Sequence, residues 1–448
     1  MVSGINILLV ALYFIIVLII GIVYSKKESK EDWLIAERKL GAWNISASVA
    51  AGFMGGGLLV AYVSYIYEFG MAAFWVFIGI AIGLLLLLAY YKKVKELSDK
   101  EEFYTISDYF KFKYGKSVGI ISAITILLYS LFLILIELIG GGRILSGLLG
   151  ISYSWAVILS AGVVLFYLGL GGFKSVVTTD FFQYLVMILF AGVIAFFLIS
   201  GSPVPAKEFN LSGAGFGNAF AFVLLGAFTS FMAPDLWQRI YAARTAKVAR
   251  NSLYLTSVIL LVFGFLITLI GIVAKINYPN ILPGEALLYG LSHLLPSGLL
   301  GLGLVMLFAA IMSSLDSYLF ILGMNVSEDI TKNYKELKKE SLIKLTRWAI
   351  IGFTIISVII ALLIQNIIIV ALAFGSISLA LIPSLIGGFH FNLKRKAVFL
   401  SILTGIISVF IILLSGYLTP ESSVISLPVS LIFLIIGQFI FRKEKSAT

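Results

Sequence analysis

Ser313, Ser314, Asp316 and Ser317 stand together in Phe308-Ala309-Ala310-Ile311-Met312-Ser313-Ser314-Leu315-Asp316-Ser317, inside a stretch that is otherwise apolar. Lipid offers no hydrogen bonds, so hydroxyls and a carboxylate at membrane depth need a buried partner or a cavity. On a helix, Ala310, Ser313, Ser314 and Ser317 are three to four residues apart and share one face. Two adjacent hydroxyls aimed at one point suit a small hard cation, which prefers oxygen ligands. The competing use of such serines is a bond back to the carbonyl one turn earlier. Asp316 lies off that face and is expected to be a hydrogen-bonded structural partner instead of a cation ligand.

The elements that carry these residues are membrane helices. Of 448 residues, 60% are hydrophobic and only 12% charged, with a mean hydropathy of +1.09; a soluble domain carries about 25% charged residues. There is no Cys, which removes disulfides and thiolate metal sites, and the two histidines, His293 and His390, are far apart. No nucleophile–base pair, phosphate loop or metal cluster appears, so an enzyme is not expected. Thirteen apolar spans are long enough to cross about 30 Å of hydrocarbon. They lie near 5–24, 43–68, 71–91, 117–147, 153–171, 176–200, 215–238, 250–274, 297–327, 345–364, 367–390, 396–416 and 424–441. The first has no basic leader or small-residue cleavage site and reads as a retained helix.

Alternate loops hold 29 of the 32 Lys and Arg, leaving Arg143, Lys207 and Lys275 for the other side. The positive-inside rule then predicts a multi-pass plasma-membrane protein with its N-terminus outside and its C-terminus cytoplasmic. The net charge of +10 follows from this topology. Because the basic residues sit in short loops that also carry acids, nucleic-acid binding is not expected. The loops 92–116 and 328–344 read as amphipathic interfacial helices, and 283–296 as a short helix bounded by prolines.

Two spans look interrupted. Ala50-Ala51-Gly52-Phe53-Met54-Gly55-Gly56-Gly57 places four glycines in six residues, each weakening a helix by about 1 kcal/mol. In Phe228-Thr229-Ser230-Phe231-Met232-Ala233-Pro234-Asp235, Pro234 removes a backbone hydrogen bond. These spans head two five-helix repeats if spans 2–6 and 7–11 are such repeats, and paired broken helices in inverted repeats point to a transporter's central site. The alternative is a GxxxG packing face and a helix end at Pro234. Two further carboxylates stand out. Asp180, in Thr179-Asp180-Phe181-Phe182-Gln183, reads as part of a capping box at a helix start. Glu137 sits in an apolar helix at a cost of a few kcal/mol unless protonated or paired, with Arg143 or the outer interface as its expected relief.

Four segments carry a resemblance to the sodium:solute symporter family, whose members share the inverted-repeat leucine-transporter fold. They are Glu31 to Gly41, then Gly171-Gly172-Phe173-Lys174-Ser175-Val176-Val177-Thr178-Thr179-Asp180-Phe181-Phe182-Gln183, then Gln238 to Arg244, and Ala310 to Ser317. The resemblance implies an all-α polytopic fold of about thirteen transmembrane helices, a 5+5 inverted repeat with helices 2 and 7 discontinuous. Residues 1–42 would form the first transmembrane helix and a cytoplasmic loop, 43–200 and 201–391 the two repeats, and 392–448 two C-terminal helices. It also implies a sodium site built from the carbonyls of Ala51, Met54 and Ala310 and the hydroxyls of Ser313 and Ser314, with Asp180 near the inward exit. One departure is Phe53, where some members carry an Asp; the coupling role of that carboxylate is absent here or has moved.

The function expected is sodium-coupled symport of a small polar organic solute into the cell by alternating access. Substrate would bind beside the unwound segments, near Gly55, Gly56, Gly57, Thr229 and Ser230, with Glu137. Amino acids, osmolytes, sugars and carboxylates all fit; an amine-bearing solute gains slightly from Glu137, and no buried Lys or Arg at depth argues for an anion. The alternatives are a proton-coupled or sodium-independent carrier of the same fold, working through Glu137, or a solute sensor. Na+ is the coupling ion and no organic cofactor is expected. The partners expected are the solute, Na+ and the lipid bilayer, without nucleic acid, for a protein working as a monomer.

Overall fold

The structure, a computed structural model, describes residues 4–24, 30–168, 172–296, 299–331 and 338–442. Helices make up nearly all of it. Ten helices among the described residues are long and apolar enough to cross a membrane. The expected count of thirteen additionally requires the shorter apolar helices at the N-terminus and after residue 152, and a division of the run 56–89.

The chain begins with α1 (Gly4–Tyr24). The first interrupted span is α2 (Ala42–Phe53) followed by α3 (Gly56–Phe69). Beyond α3, Gly70 at φ 64° and a 3-10 turn lead into α4 (Trp75–Leu86). The rings of Tyr62 and Phe77 lie 4.7 Å apart between centroids, whereas fifteen residues of straight helix would rise about 22 Å. The chain therefore doubles back at Gly70, a left-handed position that favours glycine. Two short helices, Tyr91–Lys100 and Ile106–Tyr114, fill the 92–116 loop as expected.

The long helix α5 (Lys116–Leu149) packs beside α3. A Cβ at Gly140 would stand 2.5 Å from the Cα of Gly57, so two glycines let these backbones meet. Next come α6 (Tyr153–Leu168) and α7 (Phe173–Gly201). The second interrupted span is α8 (Gly215–Met232) and α9 (Pro234–Ala242), then α10 (Ala246–Asn277). The proline-bounded segment is a 3-10 turn at Pro283–Glu285 and a helix at Ala286–His293.

Helix α11 (Leu300–Met324) carries the serine pair, and the hydropathic core of this span is wholly buried inside the protein. It continues through a π-helical turn at Asn325–Ile330, and α12 spans Lys339–Leu363. The interfacial helix expected over 328–344 is thus the end of one span and the start of another, while 332–337 fall outside the described residues. One interruption was not expected: the span 367–390 is divided into α13 (Ile367–Leu379) and α14 (Ile382–His390). Pro383 cannot donate to the carbonyl of Leu379, and the preceding amides tighten onto Ile377 and Ser378 at 3.3 and 3.4 Å. Helices α15 (Arg395–Ser415) and α16 (Ser426–Ile440) pack on each other and close the chain.

A single backbone pairing ties the entry to the first broken helix to the exit from the second. Leu40 N–H donates to the Ala242 carbonyl at 3.0 Å and Arg244 N–H to the Leu40 carbonyl at 3.1 Å. Gln238 adds a bond to the Leu34 carbonyl at 3.2 Å.

Candidate ion and solute site

At the first interruption, Met54 (φ −93°, ψ 15°) and Gly55 (φ −52°, ψ 148°) take the chain out of the helix between α2 and α3. Breaking a helix leaves its last carbonyls and its next N–H groups without intrahelical partners. Side chains from other helices supply them. Ser313 Oγ donates to the Ala51 carbonyl at 3.2 Å, and Ser314 Oγ to the Gly52 carbonyl at 3.0 Å and toward Ala51 at 3.5 Å. Ser313 also bonds back to the Ala310 carbonyl at 3.1 Å. The bond back to the carbonyl one turn earlier thus occurs at Ser313, beside the bonds that both serines make across to α2. Ala51, Met54, Ala310, Ser313 and Ser314 are fully buried.

On the other side of the break, Glu137 of α5 reaches the start of α3. The Gly57 N–H donates to Oε2 at 2.8 Å and the Leu58 N–H to Oε1 at 3.4 Å. A carboxyl at a helix N-terminus satisfies stranded donors and suits the helix dipole. Glu137 is fully buried, so it does not snorkel. Nor does it pair with Arg143, which donates to the Gln365 carbonyl at 2.7 Å. A Cβ at Gly55 would overlap both Glu137 Oε1 and Ser314 Oγ, so these two oxygens sit side by side over that glycine.

The second interruption is satisfied from within. Ala233 (φ −55°, ψ 112°) turns the chain and Pro234 starts α9, a position where its missing N–H costs nothing. The stranded Phe231 carbonyl accepts from Trp237 Nε1 at 2.7 Å, and Ala233 N–H reaches the Ser230 carbonyl at 3.3 Å.

Between the two interruptions lies a cavity of about 50 Å³, room for one or two waters. Of the six residues expected to touch solute, Thr229 lines it; Gly55, Gly56, Gly57, Glu137 and Ser230 do not. Gly56 has Ile311 packed over it and Gly57 the backbone of Ile136. Ser230 is turned away, its hydroxyl on the Ile80 and Ala227 carbonyls at 3.0 Å each. The wall is instead apolar, with Phe53, Tyr62, Tyr65, Phe222 and Phe374 set among aliphatic residues such as Leu58, Val76, Ile80 and Leu225. Ser378 of the kinked span, missed from the sequence, holds Thr229 hydroxyl to hydroxyl at 3.2 Å. The visible signal was a Ser-x-Ser pair ahead of Pro383 in an apolar span.

Asp180 is not at a helix start. Helix α7 begins at Phe173, with Gly172 before it, and Asp180 lies two turns in. Its environment corrects a second expectation, that no cation is buried at depth. Arg239, counted with the cytoplasmic loop, is 1% exposed. It donates from Nη2 to Asp180 Oδ2 at 2.9 Å and to Ser317 Oγ at 2.8 Å, and from Nε to Ser48 Oγ at 2.6 Å. Ser48 and Ser317 in turn donate to the same carboxylate oxygen, and Asp235 Oδ2 stands 3.9 Å from Arg239 Nη1. The guanidinium stacks 5.6 Å from the Phe173 ring. Four helices, α2, α7, α9 and α11, are joined at this point, one turn along α11 from Ser313.

This arrangement of two broken helices against a hydroxyl-bearing helix has counterparts. The profile of the sodium:solute symporter family matches residues 33–209 and 204–405. The chain belongs to the sodium:solute symporter family. The osmoregulated proline transporter OpuE of Bacillus subtilis (strain 168) is 24% identical over 380 residues, covering 78% of this chain and 76% of that one. A sodium/proline symporter of Staphylococcus aureus (strain JH9) is 27% identical over 192 residues, 41% of this chain and 37% of that one. Among solved structures, a substrate-bound, outward-open Na+-coupled sialic acid symporter aligns over 100% of this chain and 99% of its own with a TM-score of 0.83 at 18% identity. A nucleobase-cation-symport-1 family transporter in a closed conformation aligns over 92% and 94% with a TM-score of 0.59 at 13% identity. The fold is the leucine-transporter type. As a member of this symporter family, the multi-pass membrane protein couples Na+ to movement of a small-molecule solute; it is a transporter and not an enzyme.

Proposed function

We propose that the coupling Na+ binds at the first interruption, held by the carbonyls of Ala51, Met54 and Ala310 and the hydroxyls of Ser313 and Ser314. One observation carries this reading: both hydroxyls of α11 reach across to carbonyls of the last turn of α2, Ser313 to Ala51 and Ser314 to Gly52. A cation arriving between them replaces those hydroxyl protons as partner of the carbonyls, and all its protein ligands are neutral oxygens. Such a site releases its ion readily, as a carrier requires. Sodium bound there ties α2 and α3 to α11 and favours the outward-facing form.

Solute then enters the cavity between the interruptions, where Thr229 and the apolar wall receive it. Amino acids, osmolytes, sugars and carboxylates remain the classes in view, and the Bacillus and Staphylococcus relatives carry proline in their names. The Asp180–Arg239 pair with Ser48 and Ser317 lies on the cytoplasmic side of the serines in the orientation proposed from the loop charges, N-terminus outside and C-terminus inside. Its opening gives sodium a way out past Asp180. A potential of 100 mV supplies about 2.3 kcal/mol per charge moved inward.

Glu137 has two backbone donors to satisfy, which supports an anchoring role over a proton relay. The test is uptake into proteoliposomes with and without an inward sodium gradient. Replacing Ser313 and Ser314 together by Ala is expected to weaken sodium on the order of 100-fold, or about 2.7 kcal/mol, leaving uptake indifferent to the gradient. Sodium stimulation of wild-type size in that variant sinks the site.

A further inference from the structure

We propose that the groove between α14 and α16 binds one anionic phospholipid, with a hydrocarbon chain laid in the groove and the phosphate against the basic residues at its end. The proposal is independent of where sodium and solute bind.

The groove holds about 480 Å³ and is apolar along most of its length. Pro383, Ile386 and Phe391 line one side, and Leu427, Leu431 and Gln438 the other. It opens to the bilayer, since Leu431 and Phe391 are exposed. Leu427 and Gln438 are eleven positions apart on α16, a rise of about 16 Å. That is half of the roughly 30 Å hydrocarbon core. The groove therefore has the length of one leaflet, the reach of a single lipid chain.

One end of the groove is cationic. Gln438 Oε1 accepts the Lys394 N–H at 3.1 Å, which seats the turn before α15 on the end of α16. The Lys396 ammonium lies 5.7 Å from the centre of the Phe441 ring, and Arg442 follows, exposed. Lys394, Lys396 and Arg442 thus gather where the groove ends, while Arg395 is held by Ser117 Oγ at 2.8 Å. Helices α14, α15 and α16 contain no Asp or Glu to offset this charge. Basic pockets between membrane helices bind anionic headgroups. In the orientation proposed from the loop charges this end is cytoplasmic, facing the leaflet that carries negative lipids.

Two other occupants fit less well. A zwitterionic lipid fills the groove but leaves the basic cluster unmatched. A second copy packed here about a two-fold axis would set two like-charged clusters at the same level, and like charges brought together repel.

Full-length protein in detergent is titrated with palmitoyl-oleoyl phosphatidylglycerol or phosphatidylcholine, and bound lipid is counted by native mass spectrometry. Glycerophosphoglycerol, the same anionic headgroup without chains, is the third probe. Wild type is expected to take its first phosphatidylglycerol at least ~10-fold more tightly than its first phosphatidylcholine. Replacing Lys394, Lys396 and Arg442 together by Gln should shrink that preference to under ~3-fold. Leu431→Trp, a change at a lipid-facing position that fills the groove, should weaken phosphatidylglycerol ~3-fold or more, and it stands in if the triple variant does not fold. Equal affinity for the two lipids overturns the proposal, as does an undiminished preference in the folded triple variant or wild-type phosphatidylglycerol affinity in folded Leu431→Trp. Binding of the chainless headgroup as tight as that of the lipid, or a lipid-free dimer that excludes both lipids, overturns it too.

Discussion

The two interrupted helices solve one problem in opposite ways. At Met54–Gly55 the stranded carbonyls and N–H groups are satisfied by side chains of α5 and α11, more than 75 residues away in sequence. At Ala233 they are satisfied locally, by Trp237 and Ser230 of the same span. A break held by other helices changes its bonding when those helices move or an ion arrives. A break closed on itself keeps its shape through such movements. In the proposed cycle the first interruption responds to the ion, and the second forms a fixed wall of the proposed solute cavity and carries Arg239 as a unit.

This contrast is broken or sharpened by a graded set of substitutions. The largest effect is expected at Arg239, the tie between the second broken helix and the rest. Arg239→Met strands the Asp180 carboxylate in the interior and should lower stability by about 3–5 kcal/mol, read by thermal unfolding in detergent. Adding Asp180→Asn should recover a substantial part of that loss; no recovery would mean the two groups are not coupled.

Trp237→Phe removes the donor to the Phe231 carbonyl. It should cost about 1–3 kcal/mol of stability while the ratio of uptake with and without sodium stays at the wild-type value. A lost sodium response in this variant would erase the division of labour between the breaks. The smallest effect is expected for Thr229→Val, at about 0.5–1.5 kcal/mol, because Ser378 keeps its bond to the Gly375 carbonyl at 2.6 Å. A larger drop in solute affinity would show that the Thr229 hydroxyl contacts solute directly.

What could be read in advance followed from periodicity and backbone chemistry. Helical spacing put Ser313 and Ser314 on one face, and the Gly52–Gly57 run and Pro234 marked where helices cannot continue. Helix-breaking residues announce themselves, although Pro383 gave the same signal and was passed over inside a strongly apolar span. Partners were harder. Glu137 stood out as a charge in apolar surroundings, but its donors are backbone N–H groups 80 residues earlier, and a backbone amide leaves no trace in side-chain identity. Arg239 was assigned to a loop because cations cluster there, and nothing in its neighbours distinguishes a buried guanidinium from an exposed one. The cavity aromatics were invisible for a similar reason: among 35 Phe and 21 Tyr, residue type does not separate a binding wall from ordinary core. Asp180 was found by resemblance and misplaced by local pattern, since the cap-like run Thr179 to Gln183 continues a helix already begun at Phe173.

The bonding around Arg239 leaves both charges almost wholly removed from solvent, with exposures of 1% and 0%. Mobile salt screens attraction between groups in contact with water and barely reaches a sealed pair. Any step that parts this guanidinium from its carboxylate is therefore expected to run at a rate nearly insensitive to the ionic strength of the surrounding solution.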